Sequence, residues 1–235
     1  MREFTFVDKP AILPATQVKG SALKPLTQVL VDRRATPHFL PDPVPSEYLD
    51  AILSLAAQAP SGYNIQPWRF VVIQDATNRQ NLQKAAYNQP KVGEAPVMVV
   101  AFSVPEEWKA SVDAVFNEGV KRGLFKAEAV EKTKQGALQF LGTMDQKVWM
   151  NRHTMIAFTT LMLAAESYGL DTAPMEGFDP AAVKKTLGLP ESSEVIAMLA
   201  LGFAREPDKN YGGRLALSET IHSERYGVQW HGTKS

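Results

Sequence analysis

The chain contains no cysteine. That excludes disulfides, thiolate metal sites and cysteine nucleophiles, and it suits a cytoplasmic protein. No apolar run reaches the roughly 20 residues that a membrane-spanning helix needs. The first ten residues, which include Glu3 and Asp8, lack the apolar centre of a signal peptide. Charge of one sign is missing too, since lysine plus arginine and aspartate plus glutamate number 25 each. No global field therefore recruits nucleic acid or an anionic membrane, and any positive site must be local. His38, His153, His222 and His231 show no metal-ligand spacing. There is no internal repeat, low-complexity block or interdomain linker.

What is present is a chain of 235 residues, 45% hydrophobic, long enough for one large domain or two small ones with a real core. Residues 1–23 show no sustained period and hold Pro10 and Pro14, which reads as an arm in need of a surface. A first helix is expected over 24–31. Pro41, Pro43 and Pro45 then stop regular structure, and Ser46 reads as the N-cap of a helix marked by Leu49, Ile52, Leu53, Ala56 and Ala57. Buried strands are expected at 68–74, 96–102 and 195–201, a short strand at 171–175, and a helix at 79–87. Residues 106–141 are helical in propensity and read as a mobile cover. A long helix over 145–168 is apolar nearly all round in its second half, so it is central or lies in a subunit interface. Asp179 and Pro180 open another helix, which Gly188 and Pro190 close.

Strands alternating with helices point to a single α+β or α/β domain with a mixed sheet and helices on both faces. The two extended ends predict exchange between protomers, most simply in a C₂ dimer. The expected division is an arm at 1–26, a domain at 27–217 and a tail at 218–235 packing on the partner subunit.

The chemistry is concentrated in Ala-Pro-Ser-Gly-Tyr-Asn-Ile-Gln-Pro-Trp, residues 59–68. Pro60 and Gly62 end the preceding helix, Ser61, Asn64 and Gln66 supply hydroxyl and amide groups, and Pro67 fixes the exit. A loop between two buried elements has little use for so much hydrogen-bonding capacity without a ligand. Arg33, Arg34, Lys91 and Arg214 are cations at loop or element ends, and converging they would form a phosphate site. Taken singly, each is more often a solvated surface charge, and Ser61 or Asn88 an ordinary turn residue. Ser61 lacks a nucleophile-elbow pattern, which argues against a hydrolase. Gln66 reads more readily as a loop brace than as a ligand contact.

Together, Arg33-Arg34 with Phe39, the loop at 59–68, Asn88 with Lys91, Pro-Met-Glu-Gly-Phe at 174–178 and Arg214 resemble the nitroreductase family of FMN-dependent oxidoreductases. The resemblance runs in order from about Leu30 to Leu217. It implies the nitroreductase-like fold, with a mixed, mostly antiparallel sheet flanked by helices. It also implies a domain-swapped homodimer with FMN at the subunit interface.

By position, Arg33, Arg34, Ala35 and Arg214 would hold the phosphate, Lys91 the pyrimidine end of the flavin, and Asn88 its polar edge or sugar chain. Pro60, Ser61, Gly62 and Asn64 would arrive from the partner. Pro174, Met175, Glu176 and Gly177 would approach the reactive ring nitrogen through backbone groups. Tyr63, Ile65, Phe125 and Phe140 are the candidate pocket walls. The implied reaction takes a hydride from NADH or NADPH and reduces nitroaromatic or quinone acceptors by alternate binding at one place. No separate dinucleotide motif is then required, and none is present.

The alternatives are a specialised reduction on the same scaffold, such as dehalogenation, enone reduction or flavin modification, and a flavin-binding protein with little turnover. Two departures from the family pattern stand out. Pro37 and Gly212-Gly213 occupy places where basic residues are common, leaving either a weaker phosphate grip or His38 as the substitute. Arg214→Ala is expected to weaken FMN binding by about 1.5–3 kcal/mol, one to two orders of magnitude in a titration. Unchanged affinity would remove Arg214 from the site.

Overall fold

The computed structural model describes residues 4–10, 23–205 and 210–230. Its centre is β2 (Val97–Ser103), in which all seven residues are buried. A strand with both sides apolar must be covered on both faces, and here it is also flanked on both edges. β1 (Trp68–Ile73) and β4 (Glu194–Gly202) pair with it, and β3 (Asp171–Met175) pairs with β4. The order is β1-β2-β4-β3, with every strand pair antiparallel. The mixed sheet expected from the sequence is thus antiparallel within one chain. The parallel element among the described residues is an isolated bridge between Ala35 and Thr172.

Alternation along the strands sorts the helices. Val97, Val99, Ala101, Leu199 and Leu201 pack against α2 (Ser46–Ala56) and α7 (Gln146–Ser167). Met98, Val100, Ala173, Met175 and Met198 face the opposite layer. That layer comprises α3 (Ala76–Ala85), α4 (Pro90–Glu94) and α8 (Pro180–Leu187), through Leu82, Val92 and Val183. The segment expected as one helical cover is two helices, α5 (Pro105–Lys121) and α6 (Val130–Gly142). They have an apolar cluster of their own with the start of α7, built on Trp108, Phe116, Leu141 and Trp149.

Local signals explain most boundaries. Asp179 caps α8 by accepting from Ala181 and Ala182 N–H at 2.9 and 3.2 Å, and Gly188 ends it in the left-handed region at φ 64°. Asp145 caps α7 by accepting from Val148 N–H at 3.1 Å. The expectation for Ser46 is corrected. Pro45 stands at the cap with φ −55° and ψ 134°, and Ser46 is the first helical residue with no capping bond from its side chain. The proline ring already sets the non-helical turn that a capping hydroxyl would otherwise stabilise. Likewise α3 starts at Ala76, because Asp75 accepts from Asn78 N–H at 2.8 Å and caps it there.

α1 (Leu26–Asp32) is held to the end of α7. Lys24 N–H donates to Ser167 O at 3.1 Å, and Lys24 Nζ donates to Glu166 at 2.6 Å, where the carboxylate is 7% exposed. Outward, α1 leaves Leu26, Leu30 and Val31 exposed, and α7 leaves Val148 and Ile156. The described tail adds Leu217 of α9 (Leu217–Thr220), Ile221 and Trp230 to these exposed apolar groups. The described part of the arm lies on its own chain, where Asp8 accepts from Arg122 at 2.8 Å. Residues 11–22 and 231–235 of the expected arm and tail lie outside the described residues.

Hydrogen bonding to Glu166 raises the pKa of Lys24, against an opposing effect of burial. A folded value above the unfolded one stabilises the protein fully below the ordinary lysine range and is lost as pH climbs through the raised value. Glu166→Gln should therefore cost about 1 kcal/mol in urea unfolding at neutral pH, with the difference shrinking above about pH 10. An unchanged urea midpoint at neutral pH would contradict this.

Candidate functional site

The arginine segment is fastened to one end of the sheet. Thr36 N–H donates to Thr172 O at 3.0 Å, and Leu40 N–H donates to Phe203 O at 2.8 Å. Ala35 bridges Thr172 at the start of β3, while Phe39 bridges Ala204 beyond β4. Arg34 Nη1 donates to the carbonyls of Val31, Asp32 and Arg33 at 2.6, 3.1 and 2.9 Å, answering groups that the end of α1 leaves open. Arg33 Nη1 is buried without a hydrogen-bond partner. A buried guanidinium nitrogen in that state is costly unless an acceptor reaches it.

Arg34 and Arg214, far apart in the sequence, both meet Tyr211. Their guanidinium carbons lie 4.8 and 5.4 Å from the centroid of its ring. Next to them a cavity of about 490 Å³ is lined by Lys24, Asp32, Arg34, Glu166, Asp171, Asn210 and Tyr211. The sequence reading missed Tyr211, which sits in a loop with no periodicity. It assigned the possible substitute role to His38, whose Nδ1 instead faces Glu94 at 3.1 Å.

Glu94 joins this segment to the next. It accepts from Phe39 N–H at 3.3 Å and lies 3.5 Å from Arg205. It ends α4, the helix that carries Lys91. Just before α4, Tyr87 and Asn88 both take left-handed backbone conformations, at φ 54° and 56°. Gln89 Nε2 then donates to Gly177 O at 2.7 Å, placing the Asn88–Lys91 turn against the Glu176–Gly177 turn. A Cβ on Gly177 would sit 3.1 Å from that nitrogen, so glycine permits the close approach. Met175 puts its side chain into the core, leaving its backbone alone for a ligand.

The loop at 59–68 is compact and strained. Tyr63, Asn64 and Gln66 have φ of 53°, 58° and 52°, each costing on the order of 1 kcal/mol. Ser61 Oγ accepts from Gln66 N–H at 2.9 Å, and Gln66 Nε2 donates to Asn64 O at 3.0 Å. Gln66 is thus the brace the sequence suggested. Because Ser61 accepts from the brace, its own O–H proton is left to donate outward. Beneath Gly62 lie two rings of α7, with Nε2 of His153 3.5 Å and Nε1 of Trp149 3.7 Å from where a Cβ would be.

Tyr63 stands 6.4 Å from Phe116, which stacks on Phe125 at 4.8 Å and 10°. Two expected pocket walls are placed otherwise. Ile65 is 1% exposed within the cluster of α5, α6 and α7, and Phe140 lies on the exposed side of α6. A further cavity of about 310 Å³ runs between arm residues 5–9, Asn64, Gln66 and Arg122. There the hydrogen bond from Arg122 holds the carboxyl of Glu118 below its ordinary range.

One chain does not unite these two groups. His153 lies under the loop and Glu166 beside the arginine cavity, both on α7. Thirteen residues at about 1.5 Å rise separate them by about 20 Å along the axis. Among the described residues no cluster of histidine and carboxylates suits a metal ion, and no helix is long and apolar enough to cross a membrane.

Residues 30–203 match the family model described as Nitroreductase family. Over 196 residues the chain is 38% identical to an NADH dehydrogenase of Thermus thermophilus, covering 83% of this chain and 91% of that protein. It is 25% identical over 212 residues to the oxygen-insensitive NAD(P)H nitroreductase of Salmonella typhimurium, covering 83% and 98%. A structure of an FMN complex from Exiguobacterium sibiricum has a TM-score of 0.78 over 86% of this chain and 98% of that one; at 21% identity this is a likeness of fold. Tyr211 and Arg214 fall beyond the matched range.

Proposed function

The chain belongs to the nitroreductase family, and from that premise we propose an NAD(P)H-dependent oxidoreductase that holds FMN between two copies of itself and reduces nitroaromatic or quinone acceptors. The observation that carries this reading is the meeting of Arg34 and Arg214 at one ring, together with the unanswered Nη1 of Arg33, the residue before Arg34. Guanidinium groups of this kind suit a phosphate, and the buried Arg33 Nη1 is the donor still without an acceptor. The FMN-bound fold likeness and the relatives' names, NADH dehydrogenase and NAD(P)H nitroreductase, support the choice of cofactor and reductant.

FMN, held by these residues, would supply the two-electron chemistry between the nicotinamide and the acceptor. The protein supplies binding and orientation. Arg33, Arg34 and Arg214 neutralise the phosphate, with Ala35 fixing their segment on β3. Asn88 and Lys91 address the polar edge of the ring from a turn that Gln89 clasps to Gly177. Pro174 and Met175 deliver the backbone of Glu176 and Gly177 at the end of β3.

Pro60, Ser61, Gly62 and Asn64 complete the site of the other copy, in keeping with the loop and the arginine segment neighbouring positions about 20 Å apart along α7. Tyr63 and Phe125 offer aromatic surface to a planar acceptor. The exposed apolar residues of α1, α7 and the tail form the contact between copies, the tail packing on the partner. Cytoplasmic placement agrees with the absence of cysteine.

NADH or NADPH added anaerobically to the purified yellow protein should bleach its flavin absorbance, and an acceptor should restore it. Flavin that stays oxidised would instead favour a binding protein with little turnover. Ile156→Glu, which charges the exposed side of α7, should give monomers by size-exclusion chromatography that lose flavin. A monomer with undiminished flavin affinity would contradict the shared site.

A further inference from the structure

We propose that Tyr211 is the positioning residue of the phosphate site, an aromatic platform that sets Arg34 and Arg214 at phosphate-binding separation and so selects phosphorylated over unphosphorylated flavin. The inference rests on the FMN reading above and concerns a residue outside the matched family range.

Three observations lead to it. Both guanidinium carbons are within cation–π reach of the ring, at 4.8 and 5.4 Å, which bounds their mutual separation at the sum, 10.2 Å. A phosphate with a charge-assisted hydrogen bond on each side fits within that bound. Two cations brought so close repel each other before an anion arrives, and the negative π-face between or beneath them offsets that repulsion.

Among the described residues, each arginine is otherwise tethered by backbone carbonyls. Arg34 Nη1 is held by Val31, Asp32 and Arg33, and Arg214 Nη1 by Gly213 at 2.7 Å. Gly212 and Gly213, the latter at φ 79°, give the chain before Arg214 wide conformational freedom. The ring is therefore what relates one arginine to the other. Where the sequence shows glycines at positions commonly basic, the platform restores by orientation what is lost in charge. His38 does not take that part, since Glu94 engages it.

The ring is 59% exposed in a loop, so replacing it leaves the core intact. Equilibrium dialysis of the full-length protein against FMN and against riboflavin tests the idea. Tyr211→Ala should weaken FMN binding by about 3- to 10-fold and leave riboflavin binding unchanged, while Tyr211→Phe should stay within about 2-fold of the original for both.

The proposal is overturned if Tyr211→Ala binds FMN as the original protein does, or if riboflavin affinity falls in parallel. It is equally overturned if Tyr211→Phe loses as much as Tyr211→Ala, since the hydroxyl rather than the ring would then be responsible. A parent protein that binds neither flavin would sink the FMN reading itself. That result is distinct from a parent that binds FMN and a Tyr211 variant that binds it equally well.

Discussion

Everything in this fold follows from a seven-residue strand that is apolar on both sides. β2 cannot meet water on either face, so helices are required above and below it, and its edges must be filled by β1 and β4. With both faces covered, polar groups can gather only at the strand ends and in the connections. The arginine segment is sewn to the end defined by Thr172 and Phe203, and the Glu176–Gly177 turn leaves the other end of β3. The core thus decides where a site can be, although it contributes no chemistry to it.

α7 keeps the two polar groups of this arrangement apart. Its aromatic pair, Trp149 and His153, supports the strained loop near one end, while Glu166 borders the arginine cavity near the other. A rigid helix holds the two apart, so no motion of side chains within one copy closes the gap. The left-handed residues of the loop, braced by Ser61 and Gln66, are conformationally expensive in a monomer. Such strain is sustained where the surrounding structure over-determines it, and the site proposed between two copies would give it a purpose. The exposed apolar faces of α1 and α7 would provide area for the proposed association.

The sequence was most legible where the signal was local. Asp179-Pro180 and Gly188 marked α8, the apolar run marked β2, and Gln66 was recognisable as a brace. It was less legible where two local signals competed, as at Pro45 and Ser46, where the proline took the cap position. Ile65 looked like a pocket wall because it lies in the polar loop, yet packing against α5 and α7 claimed it. His38 looked like a spare cation until Glu94, more than fifty residues away, was seen to face it.

The sequence by itself determined the element types, the class of fold, the family and the ordered motifs. The element types depend on periodicity, capping and turn chemistry over a few neighbouring residues, and the family rests on a resemblance carried by the order of the motifs. Only the tertiary structure decided the strand order β1-β2-β4-β3, that Tyr211 joins Arg34 to Arg214, and that the Ser61–Asn64 loop and the arginine segment neighbour distant positions of α7. The reason is physical: such contacts arise from how β2 and α7 orient distant segments, and the burial that drives that packing is non-directional, so it leaves no local mark on the residues it brings together.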